Sequence, residues 1–128
     1  LRARNRPEAA IGEFLKAQEI VGTENPLLQN RIARVLLDLN RPEEAIDTLT
    51  TSVERYPEMY QTCLHMGEAK LETGLADEAV EWLIRAAGIN PFDPEVHRQL
   101  SRAYTATGLR EEADRSEQHL NLLLSHQH

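Results

Sequence analysis

Three stretches of this chain repeat at a spacing of 34 residues. With Pro26, Tyr60 and Pro94 aligned as the first position, Asn40, Gly74 and Gly108 fall in register. Glu44-Ala45, Glu78-Ala79 and Glu112-Ala113 follow just after, and Pro57 and Pro91 coincide near the end of the unit. A fixed period of this length marks a stack of supersecondary units. Each unit is too small to bury its apolar face alone and buries it against its neighbours.

Within each unit the apolar residues recur at helical spacing in two runs separated by a turn residue. The first run of unit one carries Leu28, Ile32, Ala33, Val35, Leu36 and Leu39. Asn25-Pro26 precedes it as an N-cap and N1 pair, because Asn accepts from free amides and Pro has none to leave unpaired. Asn40 suits the left-handed residue that ends a helix. A second run follows from Pro42 with Ala45, Ile46, Leu49 and Val53. Unit two repeats this with Leu64, Met66, Gly67, Ala69 and Leu71, then Ala79, Val80, Leu83, Ile84, Ala86 and Ala87. Unit three opens on Asp93-Pro94, with Val96, Leu100, Ala103 and Tyr104 inward and a last helix from about Arg110 to Leu124. No segment alternates as a strand would.

Ahead of these units, Arg6-Pro7-Glu8-Ala9-Ala10-Ile11 echoes Arg41-Pro42-Glu43-Glu44-Ala45-Ile46. Ala10, Ile11, Phe14 and Leu15 give it an apolar face, interrupted at Gln18 and ended by Gly22. We read residues 1–24 as the second helix of a truncated leading unit, followed by units at 26–59, 60–93 and 94–128. The expectation is one all-α domain of about seven helices, a piece of a longer protein because it opens inside a helical pattern.

The net charge of −7 disfavours nucleic acid, whose binding relies on clustered Lys and Arg. It offers no attraction to an anionic membrane surface, and no apolar run is long enough to span a bilayer. The single cysteine, Cys63, excludes an internal disulfide and fits a reducing compartment such as the cytoplasm.

Gly74-x-x-x-Glu78-Ala79, with Gly67 before it and Leu83, Ala86 and Pro91 behind it, resembles the tetratricopeptide repeat. So does Leu100-x-x-x-Tyr104-x-x-x-Gly108-x-x-x-Glu112-Ala113. Unit one matches through Ala33, Leu36, Asn40, Ala45, Leu49 and Pro57. Small residues let paired helices approach, and large ones fill the space between them. The chain departs from the pattern at Lys70, where an aromatic residue is usual, at Glu117, where an apolar one is, and at Ser125, where Pro is. A 35-residue RNA-reading helical repeat has a similar period, but the spacing of 34 and the acidic balance count against it.

The resemblance implies a right-handed α-solenoid whose first helices line a concave groove that holds a partner peptide or protein segment. On helical spacing the groove residues are Asn30, Arg34, Leu64, Glu68, Glu72, Arg98 and Arg102. They give two basic ends and an acidic middle, suited to an extended or helical peptide. The competing reading is that Glu68 bridges Arg34 and Arg102 across neighbouring helices. One subclass of the family grips a C-terminal carboxylate with a Lys/Asn/Arg set, which is not evident here; Glu68, Glu72 and Glu95 would oppose it.

No nucleophile motif, phosphate-cradling loop or His-Glu-x-x-His pattern is present, so we expect no catalytic residue, cofactor or metal site. His126-Gln127-His128 lacks the further ligands that fix a metal. His65 and His97 are expected at helix surfaces. Cys63 reads as a small buried hydrophobe. Trp82 lies on the outer side of a second helix and reads either as packing between units or as an interface anchor. Leu120, Leu122, Leu123 and Leu124 make the last helix more apolar than a free end needs. Either a further helix covers them, or this edge (Leu120, Leu123, Leu124) makes a partner or homo-oligomer contact. The expected function is protein–protein interaction, with a structural spacer or self-association unit of a larger protein, an enzyme among the options for that protein, as the alternative.

Overall fold

The computed structural model describes residues 25–125, together with Ala9, Ile11, Gly12, Glu13 and Lys16. Six helices run along 25–125: α1 Pro26–Asp38, α2 Pro42–Arg55, α3 Tyr60–Glu72, α4 Ala76–Ile89, α5 Pro94–Ala106 and α6 Arg110–Ser125. The five isolated residues of the leading segment are helical, and Ile11 packs against the first core cluster. Ala10, Phe14, Leu15, Gln18 and Gly22 lie outside the described residues, as do His126 and His128.

The local chemistry accounts for the helix ends. Asn25 Oδ1 accepts from the amides of Leu27 (3.0 Å) and Leu28 (3.2 Å), and Pro26 occupies the first turn. Asp93 Oδ1 does the same for the Glu95 amide at 3.0 Å, ahead of Pro94. At the other end, Asn40, Gly74 and Gly108 all take positive φ, of 60°, 84° and 80°. The residue after each one donates back five positions, Arg41 to Leu36, Leu75 to Lys70 and Leu109 to Tyr104, each at 2.8 Å. Asn40 donates to Leu37, Gly74 to Leu71 and Gly108 to Thr105. This paired return of bonds to the last turn is the Schellman cap, formed three times in register.

The caps turn each first helix back onto its second, giving the pairs α1–α2, α3–α4 and α5–α6. Among the described residues α1 touches α3 and α3 touches α5, whereas α2, α4 and α6 do not approach one another. First helices therefore form one closely stacked layer and second helices a more widely spaced one. Small residues permit the close approach. Ala33, Ala45, Ala69, Ala79, Ala86 and Ala103 are fully buried. Gly67 lies directly under the Leu83 side chain. Two apolar clusters result, one centred on Ile32, Leu36 and Leu49, the other on Leu64, Leu83 and Leu100. Trp82 packs against both, joining the first pair to the second. Cys63 is buried in the second cluster, and that burial raises its thiol pKa.

Candidate partner-binding face

The three stacked helices α1, α3 and α5 present one residue every helical turn at matching register. Leu27 aligns with Gln61, Arg31 with His65, Arg34 with Glu68 and Arg102, and Asp38 with Glu72. Their charges are arranged as pairs. The Arg34 guanidinium forks onto both Glu68 oxygens, at 3.0 Å and 2.7 Å, and reaches back to Asp38 at 2.9 Å. The Glu68 carboxylate holds the Arg34 pKa above its ordinary value. Arg102 does not share Glu68. It donates to Glu72 at 3.1 Å and to Gln99 Oε1 at 2.7 Å. Gln99 in turn donates to Glu95 at 2.7 Å, and Arg98 donates to the same carboxylate at 2.5 Å. The bridge thus forms between Arg34 and Glu68, while the α5 arginines belong to a separate polar chain running from Arg98 to Glu72.

Two of the residues expected in the groove turn inward. Leu64 is 5% exposed and belongs to the second core cluster. Asn30 is also buried, and its amide organises a polar rung between α1 and α3. Its Nδ2 donates to the Pro26 carbonyl (2.8 Å) and to Thr62 Oγ1 (2.8 Å). That leaves Oδ1 to face His65 Nδ1 at 2.7 Å. The His65 ring therefore carries its proton on Nδ1 and keeps Nε2 as an acceptor. Burial, then the nearby Arg34 charge, push its pKa down to about 4. His65 and His97 are each only 7% exposed, not surface residues as expected from sequence. A histidine on a stacked first helix has neighbours on both sides, which the spacing of one helix does not reveal.

Between α1 and α3 lies a recess of about 350 Å³ lined by Leu27, Asn30, Arg31, Arg34, Gln61 and His65. Leu27 is 67% exposed at its rim. Arg31 and Gln61 are exposed beside it, and no ion pair to Arg31 is seen among the described residues. Sequence reading missed Leu27, Arg31, Gln61 and His65 here. The signal for them was the register itself, since 27 aligns with 61 and 31 with 65. Among the described residues, no group of three or more His, Cys, Asp or Glu side chains is placed to hold a metal ion. No helix there is long and apolar enough to cross a membrane. At the far end, Leu122 is exposed while Leu120, Leu123 and Leu124 are half-buried on α6.

The comparisons with known proteins agree with this architecture. A family model described as tetratricopeptide repeat matches residues 36–103. A solved MamA structure, "MamA MSR-1 C2", shares 19% identity over 98% of this chain and 72% of that one, with a TM-score of 0.79. MamA from Desulfovibrio magneticus RS-1 (residue 41 to its end) shares 17% identity over 99% of this chain and 71% of that one, at a TM-score of 0.84. Likeness at such identity shows the fold alone. No curated protein sequence matches the chain. The family match spans more than half of the 128 residues and runs from the end of α1 into α5, so the chain belongs to the tetratricopeptide repeat family, a family of helical-repeat interaction scaffolds.

Proposed function

We propose that the face of α1, α3 and α5 docks a partner's peptide segment, extended or helical, and that this chain is a protein–protein interaction module. The observation that carries this reading is the recess between α1 and α3. It combines an exposed apolar side chain (Leu27), a cation (Arg31), and a neutral acceptor (His65 Nε2) within about 350 Å³. A peptide needs those three kinds of contact: a place for an apolar side chain, a charge partner, and an acceptor for an N–H. The paired arginines contribute alignment more than net charge, since each already faces a carboxylate.

This decides which variant is the useful test. Arg34→Glu would strip the partner from Glu68, which is only 12% exposed, and would damage the stack itself. Leu27→Ala/Arg31→Glu removes exposed groups and leaves the pairs intact. Pull-downs from the source lysate should retain a partner on the wild-type chain and lose it on this variant, at equal helicity. Equal capture by both would remove the reading.

A second reading rests on α6. Its exposed Leu122 and half-buried leucine neighbours support an edge contact, either to a further part of a longer protein or to another copy. Sedimentation equilibrium of the wild-type chain and of Leu122→Glu tests it: a dimer lost in the variant supports the edge, and a monomer in both removes self-association through it.

A further inference from the structure

Away from the face just described, α4, α5 and α6 enclose a recess of about 470 Å³. Its floor is made by His97, Leu100 and Ser116, and Ile84, Tyr104 and His119 form its walls. The repeat register explains why it is open. Ser116 stands 34 residues after Trp82. Trp82 packs against both apolar clusters, so its indole fills the space between the first and second helix pairs. Serine at the same position leaves the corresponding space between the second and third pairs without a side chain to fill it. The neighbouring position changes in a matching way. Arg85 lies 4.5 Å from the centre of the Trp82 ring. His119, 34 residues later, has no indole beside it; its ring lies tilted at 48° to that of His97, with centroids 5.2 Å apart.

We propose that this recess takes a tryptophan side chain supplied by a partner polypeptide, restoring from outside the packing that Trp82 supplies from within. The chain itself shows which chemistry fits the space between two of its helix pairs. The lining matches an indole in kind. Ile84, Leu100 and Tyr104 offer apolar surface, and the aromatic walls offer faces and edges for stacking. An acceptor for the indole N–H is also present. Glu112 lines the recess; Arg115, also in the lining, donates to its Oε1 at 3.2 Å, and a carboxylate has lone pairs for a second donor. His97 donates from Nε2 to the Pro91 carbonyl at 2.7 Å, which anchors its ring at the floor. This site shares no residue with the recess between α1 and α3, so either proposal can fail without the other.

The test is an NMR titration of the whole chain with N-acetyl-tryptophanamide, and with N-acetyl-leucinamide as the comparison. The tryptophan probe should bind saturably in the millimolar range, as befits one side chain without the rest of a partner. The largest shifts should fall at Tyr104, Ser116 and His119. Ile84→Glu, on the rim and half exposed, should weaken binding about tenfold, the change expected from losing part of one aliphatic contact. Ser116→Trp should abolish it by filling the recess; if that variant does not fold, Ile84→Glu decides alone. Several results would overturn the proposal: no saturable shift at these residues, equal affinity for the leucine probe, or unchanged binding in Ile84→Glu. If the same resonances moved with protein concentration and no probe, the occupant would be a second copy, and the assignment to a partner would be wrong.

Discussion

Gly67→Ala is the sharpest perturbation of this fold. A methyl group added at Gly67 would meet Cγ and Cδ2 of Leu83, both at 2.5 Å. That separation is far inside van der Waals contact, and Leu83 is completely buried with nowhere to swing. α3 and α4 must move apart. Overpacking of this kind costs roughly 1–3 kcal/mol. Against it stands the gain of Ala over Gly inside a helix, about 0.5–1 kcal/mol. Contacts of 2.5 Å to a buried side chain put this site in the upper part of the overpacking range, so the net is a loss of about 1–2 kcal/mol, or a fall in Tm of about 4–8 °C for a chain of this size. Thermal and urea unfolding followed by circular dichroism measure it. Leu83→Ala alone should cost about 2–5 kcal/mol through its cavity. In the double variant the new methyl sits where Leu83 was, so the pair should cost about 1–2 kcal/mol less than the sum of its singles. Gly88→Ala is the control, because nothing lies within 4 Å of its added methyl and its φ is not positive. It should be neutral or slightly stabilising. If Gly67→Ala melted no lower than wild type, or its effect simply added to that of Leu83→Ala, the close-approach argument would be refuted.

Two further outcomes are expected. At the three left-handed caps, Gly74→Ala should cost about 1–2 kcal/mol, because an L side chain at φ 84° is strained, whereas Asn40→Gly should be neutral or slightly stabilising; chemical denaturation of the two variants distinguishes them. For His65, a folded pKa of about 4 lies below the unfolded value of 6.5, so its neutral form stabilises the fold fully above pH 6.5, and that stability is lost as pH falls toward 4. The slope should approach about 1.4 kcal/mol per pH unit within the window, and His65→Gln should remove this part of the pH dependence in urea titrations run from pH 7 to 4.

Much of the architecture was legible without coordinates, and for a local reason. The Asn25 and Asp93 caps and the turns at Asn40, Gly74 and Gly108 are contacts within about six residues, so composition at fixed offsets specifies them. The inward face of each helix follows from apolar spacing in the same way. The candidate partner-binding face was harder to read. Placing Leu64 in the groove failed to account for how far α3 is covered by α4 and α5, which buries it. Pairing Glu68 with both arginines assumed that three stacked helices keep one rotation. In the fold Arg102 reaches Glu72 instead, one turn along α3. The buried rung of Asn30, Thr62 and His65 had no signature at all, because none of the three residues is unusual until the helices are stacked.

The chain by itself determined the unit, its period of 34 residues, its two helices and their caps, since all of these depend on residues that are neighbours in sequence. Only the tertiary structure decided which polar side chains meet across the stack, which of them are buried, and that Ser116 leaves open the space that Trp82 closes one unit earlier. Those outcomes depend on the rotation and offset of one helix against the next. Both are set by the packing of small and large side chains at contacts some 34 residues apart, such as Arg34 on Glu68.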